Sequence, residues 1–306
     1  MGSHTKPNSG GATTPLSPRL ALQLAAPHTW PAAIMPVLVA AACALANTGS
    51  LDVGMAWLLL LICILMQASV NTFNDYFDFI KGTDTAEDNV EASDSVLVYN
   101  DVNPRSALGL AIGFLAVAFL LGLYVVWKTG PVPLVIALIG AVIVVMYSGG
   151  KTPLSYLPVG EAVSGIVMGG LIPLACYQVL SGTFTFMALL WAAPTIIGVG
   201  LIMMTNNTCD IEKDIEASRR TLPVLLGREK ARTLYHALMV VWVLAIIGIW
   251  FPRGIVVLPF LALGCYPLMM GLWKNPLAAP TRISAMGQIC SVNVALGAFY
   301  AAALLL

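Results

Sequence analysis

Apolar runs of similar length follow one another along nearly the whole chain, and short polar segments separate them. Most runs have about 20 residues or more, which suffices for a helix to cross the ~30 Å hydrocarbon core of a bilayer. The pattern predicts an all-α polytopic membrane bundle of about nine transmembrane helices around a central cavity. The fourth run is marginal in length, so eight spans stay an alternative. The approximate spans are 20–46, 51–77, 103–127, 131–148, 159–180, 186–208, 231–251, 254–273 and 283–305.

The N-terminal end differs from the rest. Residues 1–18 are rich in Gly, Ser, Thr and Pro and begin Met-Gly-Ser-His, which predicts a disordered tail or a remnant of cloning. Residues 19–306 are predicted to form a single transmembrane domain. Within its first span, Pro27, Pro31 and Pro36 predict a kink or a shallow interfacial start.

The second span ends in a segment rich in Asn and Asp, and an acidic loop follows. If the helix continues through this segment, four polar side chains fall at i, i+3, i+4 and i+7 and share one face. These side chains, the first stripe, are Asn71, Asn74, Asp75 and Asp78. Carboxylates on one stripe repel and raise each other's pKa unless a cation is shared between them. The first stripe therefore predicts a metal site.

A similar segment closes the sixth span. Asn207, Asp210 and Asp214 stand at i, i+3 and i+7 and form the second stripe. Oxygen ligands without His or thiolate suit Mg²⁺, which keeps some water and is usually completed by phosphate oxygens. Two such stripes facing one cavity would hold a diphosphate between them. Their repetition predicts two pseudo-equivalent halves, as an internal duplication would leave.

Composition supports a membrane protein: 58% of residues are hydrophobic, 10% are charged, and the mean hydropathy is +0.86. The zero net charge hides an asymmetry. With nine spans, every Lys and Arg except Lys128 and Arg253 lies on one side of the membrane. The positive-inside rule makes that side cytoplasmic, together with the N-terminus and both stripes. The predicted location is the inner membrane of a bacterial cell. The six cysteines are dispersed, which favours buried small hydrophobes over disulfides.

Basic residues flank both stripes. Arg219 and Arg220 follow the second stripe, where two guanidiniums beside a carboxylate pair suit a bound phosphate, although they also fit a purely topological role. Lys81 is predicted at the rim of the first stripe. Arg105 fits membrane anchoring and diphosphate contact about equally. Lys151 follows two glycines, but the segment lacks the spacing of a Walker phosphate loop.

Both stripes carry family motifs. The first reads Asn74-Asp75-x-x-Asp78 followed by Asp84, and the second reads Asp210-x-x-x-Asp214. Together they resemble the UbiA superfamily of intramembrane prenyltransferases, and the resemblance covers most of the chain from Pro27 onward.

One branch of the superfamily is more similar than the others. The N-D-Y-x-D-x-x-x-G-x-D form, Tyr147 followed by two glycines, and Gly160-Glu161 resemble the 1,4-dihydroxy-2-naphthoate prenyltransferases of menaquinone biosynthesis. The 4-hydroxybenzoate branch more commonly has its last acid where this chain has Gly82. Two departures are evident: Cys209 stands where an arginine usually precedes the second motif, and Ala217-Ser218 replaces an expected glycine-containing pair.

The resemblance implies Mg²⁺-dependent transfer of a polyprenyl group from polyprenyl diphosphate to an aromatic acid in the bilayer. The implied acceptor is 1,4-dihydroxy-2-naphthoate, which loses CO₂ and gives a demethylmenaquinone precursor. The implied metal ligands are Asn74, Asp78, Asp210 and Asp214. The implied diphosphate contacts are Asn71, Asn74, Lys81, Asn207, Arg219 and Arg220. Candidates to stabilise the allylic cation are Phe73, Tyr76 and Tyr147; candidate bases are Asp75 and Asp84, and candidate clamps on the acceptor are Lys151 and Arg105.

Other functions fit parts of the pattern. Another aromatic acceptor, of the 4-hydroxybenzoate or homogentisate type, would need the same diphosphate chemistry. A cation-coupled transporter would also use intramembrane Asn and Asp, but its site usually lies near the bilayer midplane, whereas both stripes end their spans beside Lys and Arg. An alcohol-type lipid phosphotransferase would carry a D-x-x-D-G-x-x-A-R signature, which the chain lacks. No nucleic-acid partner is expected.

Overall fold

A computed structural model of the chain describes residues 15–81, 96–100, 102–148, 152–249, 251, 255–256 and 258–306. In this part of the chain helices dominate and no strand is formed, which confirms the predicted all-α class. The helices are α1 (Pro18–Leu24), α2 (Pro31–Thr48), α3 (Val53–Lys81), α4 (Val96–Tyr99), α5 (Pro104–Thr129), α6 (Val132–Ser148), α7 (Gly160–Ile166), α8 (Ile172–Ser181), α9 (Met187–Trp191), α10 (Ala193–Cys209), α11 (Ile211–Glu216), α12 (Leu222–Leu226), α13 (Arg228–Ile249), α14 (Leu258–Lys274) and α15 (Arg282–Leu304).

Several helices are long and apolar enough to cross a bilayer, which makes the chain a multi-pass membrane protein. Six segments in the described residues meet both criteria, and each of the nine predicted spans overlaps a described helix. The total of nine crossings stays a prediction. The six segments are Pro31–Thr48, Val53–Phe77, Pro104–Thr129, Gly160–Ser181, Arg228–Ile249 and Ala279–Leu304.

The predicted interruption of the first span is confirmed. α1 ends at Leu24, a 3₁₀ turn covers Pro27–Thr29, and α2 begins at Pro31. Proline at a first helical position costs no hydrogen bond, because the N–H it lacks would have no partner within the helix. Pro27 and Pro31 therefore divide one apolar run into a short helix and a long one, and Pro36 lies within the long helix.

The chain divides into two compact units. The first comprises Met1–Pro27 and Met66–Ala116, and the second comprises His28–Leu65 and Val117–Leu306. In the first unit a small apolar core joins α1, α4 and the start of α5; its buried members are Leu24, Val96, Leu97, Val102 and Ala107. The second unit has a much larger core, whose fully buried side chains include Tyr235, Tyr300, Met204, Met239 and Leu296.

Glycines allow two helices of the second unit to pack very closely. α7 continues through a π-helical segment, Val167–Leu171, into α8, and α7 and the π-helical segment pack along α10. A Cβ on Gly165 would lie 2.6 Å from the Ile196 carbonyl oxygen, and one on Gly169 would clash with the backbone of Thr195. The Thr195 hydroxyl donates to the Gly169 carbonyl at 2.6 Å, so the contact is also hydrogen-bonded. This packing places the start of α7 beside the end of α10.

Candidate functional site

The first stripe lies on an unbroken helix, as its spacing predicts, since α3 runs through to Lys81. Two of its side chains bond to the backbone of neighbouring segments. The Asn71 amide donates to the Ala25 carbonyl at 3.0 Å. The buried Asp75 carboxylate accepts from the backbone N–H groups of Val96 and Leu97, at 2.7 and 3.3 Å. Asp75 therefore satisfies the first N–H groups of α4, which have no partner within that helix.

The remaining predicted residues of this region have different surroundings. Asn74 is exposed, whereas Tyr76 packs against the core of the first unit. Phe73 stacks on Phe77 with ring centroids 6.1 Å apart. Arg105 is exposed in the first turn of α5. Asp84 and Lys151 lie outside the described residues, and so do the side chains of Asp78 and Lys81, whose backbone is helical.

The second stripe spans a junction between two helices. α10 ends at Cys209 and α11 begins at Ile211, with Asp210 between them. The helical bonding pattern nevertheless continues, because the Asp210 N–H bonds to the Asn206 carbonyl and the Asp214 N–H bonds to the Asp210 carbonyl. Asp210 and Asp214 therefore keep the one-turn spacing that the sequence pattern predicts.

A guanidinium from the start of α15 holds the first carboxylate of the second stripe. Arg282 Nε donates to Asp210 Oδ2 at 3.2 Å, and Arg282 Nη2 donates to Asn206 Oδ1 at 2.6 Å. The Arg282 and Asp210 side chains are 15% and 18% exposed. A charge-assisted pair that is this far removed from water is stronger and less screened than an exposed one.

A second guanidinium contacts Asp214. Arg219 Nη1 lies 3.5 Å from Asp214 Oδ1, and the Thr221 hydroxyl donates to Asp214 Oδ2 at 3.1 Å. Burial raises the pKa of Asp214. The Arg219 charge and the Thr221 hydroxyl lower that pKa, and the negative charges of Asp210 and Glu161 raise it. The Arg219 guanidinium also lies over the Tyr156 ring, 4.8 Å from its centroid. Tyr156 thereby helps to fix the arginine through a cation–π contact.

Asn207, the amide of the second stripe, binds an acid from α7. Its Nδ2 donates to Glu161 Oε1 at 2.8 Å, and both residues are buried. The Tyr147 hydroxyl lies close by, 3.6 Å from where a Cβ on Gly160 would stand. Arg220 is exposed, and its backbone N–H bonds to the Tyr156 carbonyl at 2.8 Å. The structure thus collects Asn207, Asp210, Asp214, Arg219 and Tyr147 in the second unit.

The sequence pattern did not indicate Arg282 or Glu161 as site residues. Arg282 was predicted only as a charge on the cytoplasmic side, and Glu161 only as part of a family segment. Cys209 could have indicated Arg282. The cysteine replaces the arginine that usually precedes the second motif, so a guanidinium beside Asp210 has to come from elsewhere in the chain. Cys209 itself is fully buried.

The chemistry of the second stripe fits a hard divalent cation. It offers carboxylate and amide oxygens, and its contacts from the described residues come from Arg, Asn, Glu and Thr side chains rather than from histidine. Within the described ranges, no three His, Cys, Asp or Glu side chains cluster closely enough to hold a metal alone. Such a site matches Mg²⁺ in particular, since this ion commonly takes one or two carboxylates and completes its shell with water and substrate phosphate.

The class of protein follows from the membrane helices and from the carboxylate at the end of α10 that Arg282 binds from the start of an apolar, membrane-length segment. Residues 33–286 match the UbiA prenyltransferase family. The chain belongs to this family, and it is a prenyltransferase.

Individual relatives agree with that assignment. The chain is 34% identical to the 1,4-dihydroxy-2-naphthoate octaprenyltransferase of Bacillus subtilis over 74% of this chain and 72% of that protein. It is 28% identical to the Mycobacterium tuberculosis enzyme of the same name, over 87% and 91% of the two chains. A UbiA homologue from Archaeoglobus fulgidus, solved with DMAPP and Mg²⁺, shares the fold with a TM-score of 0.60 at 17% identity, covering 92% of this chain and 99% of that one.

Proposed function

We propose that the protein transfers a polyprenyl group from polyprenyl diphosphate to 1,4-dihydroxy-2-naphthoate, with loss of CO₂ and with Mg²⁺ as cofactor. The observation that carries this proposal is the second stripe, where Asp210 and Asp214 each meet a guanidinium of their own. Such a set of charges suits a magnesium-bound diphosphate. The names of the Bacillus and Mycobacterium relatives support the acceptor, and the ligands of the archaeal neighbour support the donor class and the metal.

Arg219, which contacts the second stripe, has N–H donors that Asp214 does not use. A guanidinium carries five N–H groups in a planar fork that matches phosphate oxygens. Arg219 uses one terminal nitrogen on Asp214, and its buried Nε has no hydrogen-bond partner among the described residues. A buried donor without a partner is unfavourable until a ligand accepts from it. Arg219 is therefore our primary candidate for direct diphosphate contact, with Arg282 and Arg220 beside it.

Asp210, Asp214 and the Asn207 oxygen would hold a metal in the second unit, and Asn74 and Asp78 stay metal ligands that the sequence predicts. When bound, Mg²⁺ neutralises the charge that develops on the departing diphosphate. Asn206 and Thr221 orient the carboxylates through their contacts with Arg282 and Asp214. Positioning of this kind is effective in a dry site, where each charge interaction is stronger than in water.

The reaction breaks the bond between the allylic carbon and the diphosphate oxygen, and the electron pair leaves with the diphosphate. The ring carbon that bears the carboxylate donates a pair to the allylic carbon, and the C–CO₂ bond then returns a pair to the ring. Water would capture the allylic cation, so the membrane bundle must exclude it. Tyr147, close to Glu161 and Gly160 in the second unit, is the described aromatic residue best placed to face the cation.

The proposed location is the bacterial cytoplasmic membrane, with the site open to the cytoplasm. The distribution of Lys and Arg along the chain supports this orientation. It predicts that a cysteine-reactive reagent confined to the periplasm labels a cysteine placed at Lys128 and leaves one placed at Arg220 unlabelled.

The decisive assay incubates purified protein with labelled polyprenyl diphosphates of several lengths, Mg²⁺ or EDTA, and a panel of aromatic acids. The expected result is a prenylated naphthoquinol, with CO₂ released from carboxyl-labelled 1,4-dihydroxy-2-naphthoate in equal amount. Preference for 4-hydroxybenzoate or homogentisate would overturn the acceptor. Full activity in EDTA would overturn the metal requirement, and absence of diphosphate release with every acceptor would contradict the reaction itself.

A further inference from the structure

Glu161 is a buried acid to which the mechanism above gives no part. It lies in the first turn of α7 and is only 6% exposed. One carboxylate oxygen accepts from Asn207, while the other, Oε2, is buried and has no hydrogen-bond partner in the described part of the chain. The close packing of α7 on α10, which Gly165 and Gly169 permit, places this acid beside the second stripe.

The surroundings of Glu161 make its second oxygen a ligand-binding group. The bonded partner of Glu161, Asn207, belongs to the second stripe, and the Tyr147 hydroxyl lies 3.6 Å from where a Cβ on the neighbouring Gly160 would stand. A buried carboxylate oxygen without a partner is unfavourable unless a donor or a cation lies beside it. Arg219 compensates Asp214, but the described residues donate no hydrogen bond to Glu161 Oε2. A bound cation would compensate it.

Glu161 also fixes the orientation of Asn207. An ionised carboxylate is an acceptor only, so the Asn207 side chain must turn its NH₂ group toward Glu161 and its oxygen away. Asn207 Oδ1 then remains available as a metal or phosphate-facing acceptor. The same contact that leaves Glu161 Oε2 without a partner therefore presents an amide oxygen from the second stripe.

We propose that Glu161 supplies one ligand to a divalent cation held at the second stripe, where its Oε2 faces the bound metal beside the Asn207 oxygen, and water and substrate phosphate complete the shell. The inference rests on the proposed function for the metal and extends it to a residue outside both Asp motifs. The competing explanation is purely structural: Glu161 would then serve only to bind Asn207 and to favour the N-terminus of α7.

Glu161→Gln separates these roles. The glutamine keeps the volume and an oxygen that can accept from Asn207, but it removes the negative charge. If Glu161 faces a cation, the variant should bind Mn²⁺ about 10- to 100-fold more weakly, the range typical for losing a residue that supports a metal site. Without metal it should melt at an equal or higher temperature than the wild type, because an uncompensated buried charge has been removed.

The measurements are Mn²⁺ affinity by electron paramagnetic resonance and thermal unfolding in detergent, each with EDTA and with Mn²⁺. Glu216→Gln, the same substitution at an exposed acid at the end of α11, is the matched control and should leave both readouts unchanged. Wild-type Mn²⁺ affinity in Glu161→Gln, with or without a lower melting temperature, would overturn the inference.

Two further results keep the test decisive. If Glu161→Gln does not fold, Glu161→Asp retains the charge and should bind Mn²⁺ more tightly than Glu161→Ala; equal affinities would contradict the inference. Prenyl transfer by the wild type is measured in parallel. If the wild type transfers the prenyl group but the Glu161 variants bind Mn²⁺ as tightly as it does, only this inference is overturned. If the wild type neither binds Mn²⁺ nor releases diphosphate, the proposed function itself is contradicted.

Discussion

The two stripes share nearly the same spacing of amides and acids, yet their side chains have different partners. In the first stripe, Asn71 and Asp75 bond to backbone groups of Ala25, Val96 and Leu97. In the second, Asp210 and Asp214 bond to side chains that carry positive charge or a hydroxyl, and Asn207 bonds to a carboxylate. Among the described side chains, Asn71 and Asp75 of the first stripe bind backbone groups, and the acids of the second stripe bind arginines.

The difference shows that spacing on a helix does not determine the role of each position. An acid that accepts backbone N–H groups has its charge stabilised locally and its oxygens occupied. Within the first stripe, Asn71 and Asp75 therefore support structure, while Asn74 stands exposed. Within the second stripe, both acids contact arginines, and the proposed function has a diphosphate and its metal bind among them.

The largest expected effect is loss of transfer when a predicted metal ligand is removed. Asp210→Ala and Asp78→Ala should each lower kcat/KM by roughly 10³-fold, because charge on the departing diphosphate is no longer neutralised. Steady-state assays on folded, monodisperse protein measure the effect. Asp52→Ala, an exposed acid that accepts from the Met55 N–H at the start of α3, is the control and should retain activity. Retained activity in Asp210→Ala would exclude that residue from metal binding.

Asp75 gives the sharpest test of the contrast between the stripes. Asp75→Ala leaves two buried backbone N–H groups without an acceptor, at a cost of about 1–3 kcal/mol each. We expect a clear loss of thermal stability, with less loss in Asp75→Asn, which keeps one acceptor oxygen. Unfolding in detergent measures the stability, and kcat is measured per folded molecule. Wild-type stability with no activity would instead support the sequence prediction that Asp75 is a base.

An intermediate effect is expected at Arg282, which holds Asp210 from a helix remote in sequence. Arg282→Gln should lower kcat/KM by about 10- to 100-fold, as is usual when a residue that orients a metal ligand is lost. Lys274→Gln removes an exposed charge at the end of α14 and serves as the control. An Arg282→Gln enzyme with unchanged kinetics would show that Asp210 needs no guanidinium.

The fold followed from the sequence more completely than the site did. Apolar run length, the prolines of the first span and the helical spacing of the first stripe all depend on neighbouring residues. The structure confirms the all-α membrane class, the break before α2 and the unbroken α3, while the count of nine spans stays a prediction. The partners of Asp210 and Asn207 lie 72 and 46 positions away. The helical periodicity of a short segment cannot predict such contacts, because they form only when helices distant in sequence pack together. The contact between Asp75 and the N–H groups of α4 could not be predicted from the sequence either, because α4 is only four residues long and has no recognisable periodic pattern.

A smaller effect is expected at Ser218, next to Arg219. Its φ of 57° lies in the left-handed region that favours glycine, where the family pattern also has a glycine-containing pair. Ser218→Gly should stabilise the protein by about 0.5–1 kcal/mol, since relief of strain outweighs the entropy glycine adds to the unfolded chain. Gly227→Ala, at φ 74°, should do the reverse. Thermal unfolding of the two variants checks the opposite signs, and destabilisation in Ser218→Gly would contradict the prediction.

The smallest effect is expected at Glu212, an acid of α11 that lies outside the second stripe. Arg228 binds it through two nitrogens, at 2.7 and 2.8 Å, but the Glu212 side chain is 63% exposed. Glu212→Gln should therefore cost only about 0.5 kcal/mol, and 1 M salt should remove most of that difference. The arginine holds the pKa of Glu212 at about 2, below its ordinary 4.5. Because the folded pKa is the lower one, the stabilisation is complete above about pH 4.5 and is lost as the pH falls toward 2. Unfolding of both proteins across this range measures the difference, and a stability gap that persists at pH 2 or in high salt would show that Glu212 acts through packing.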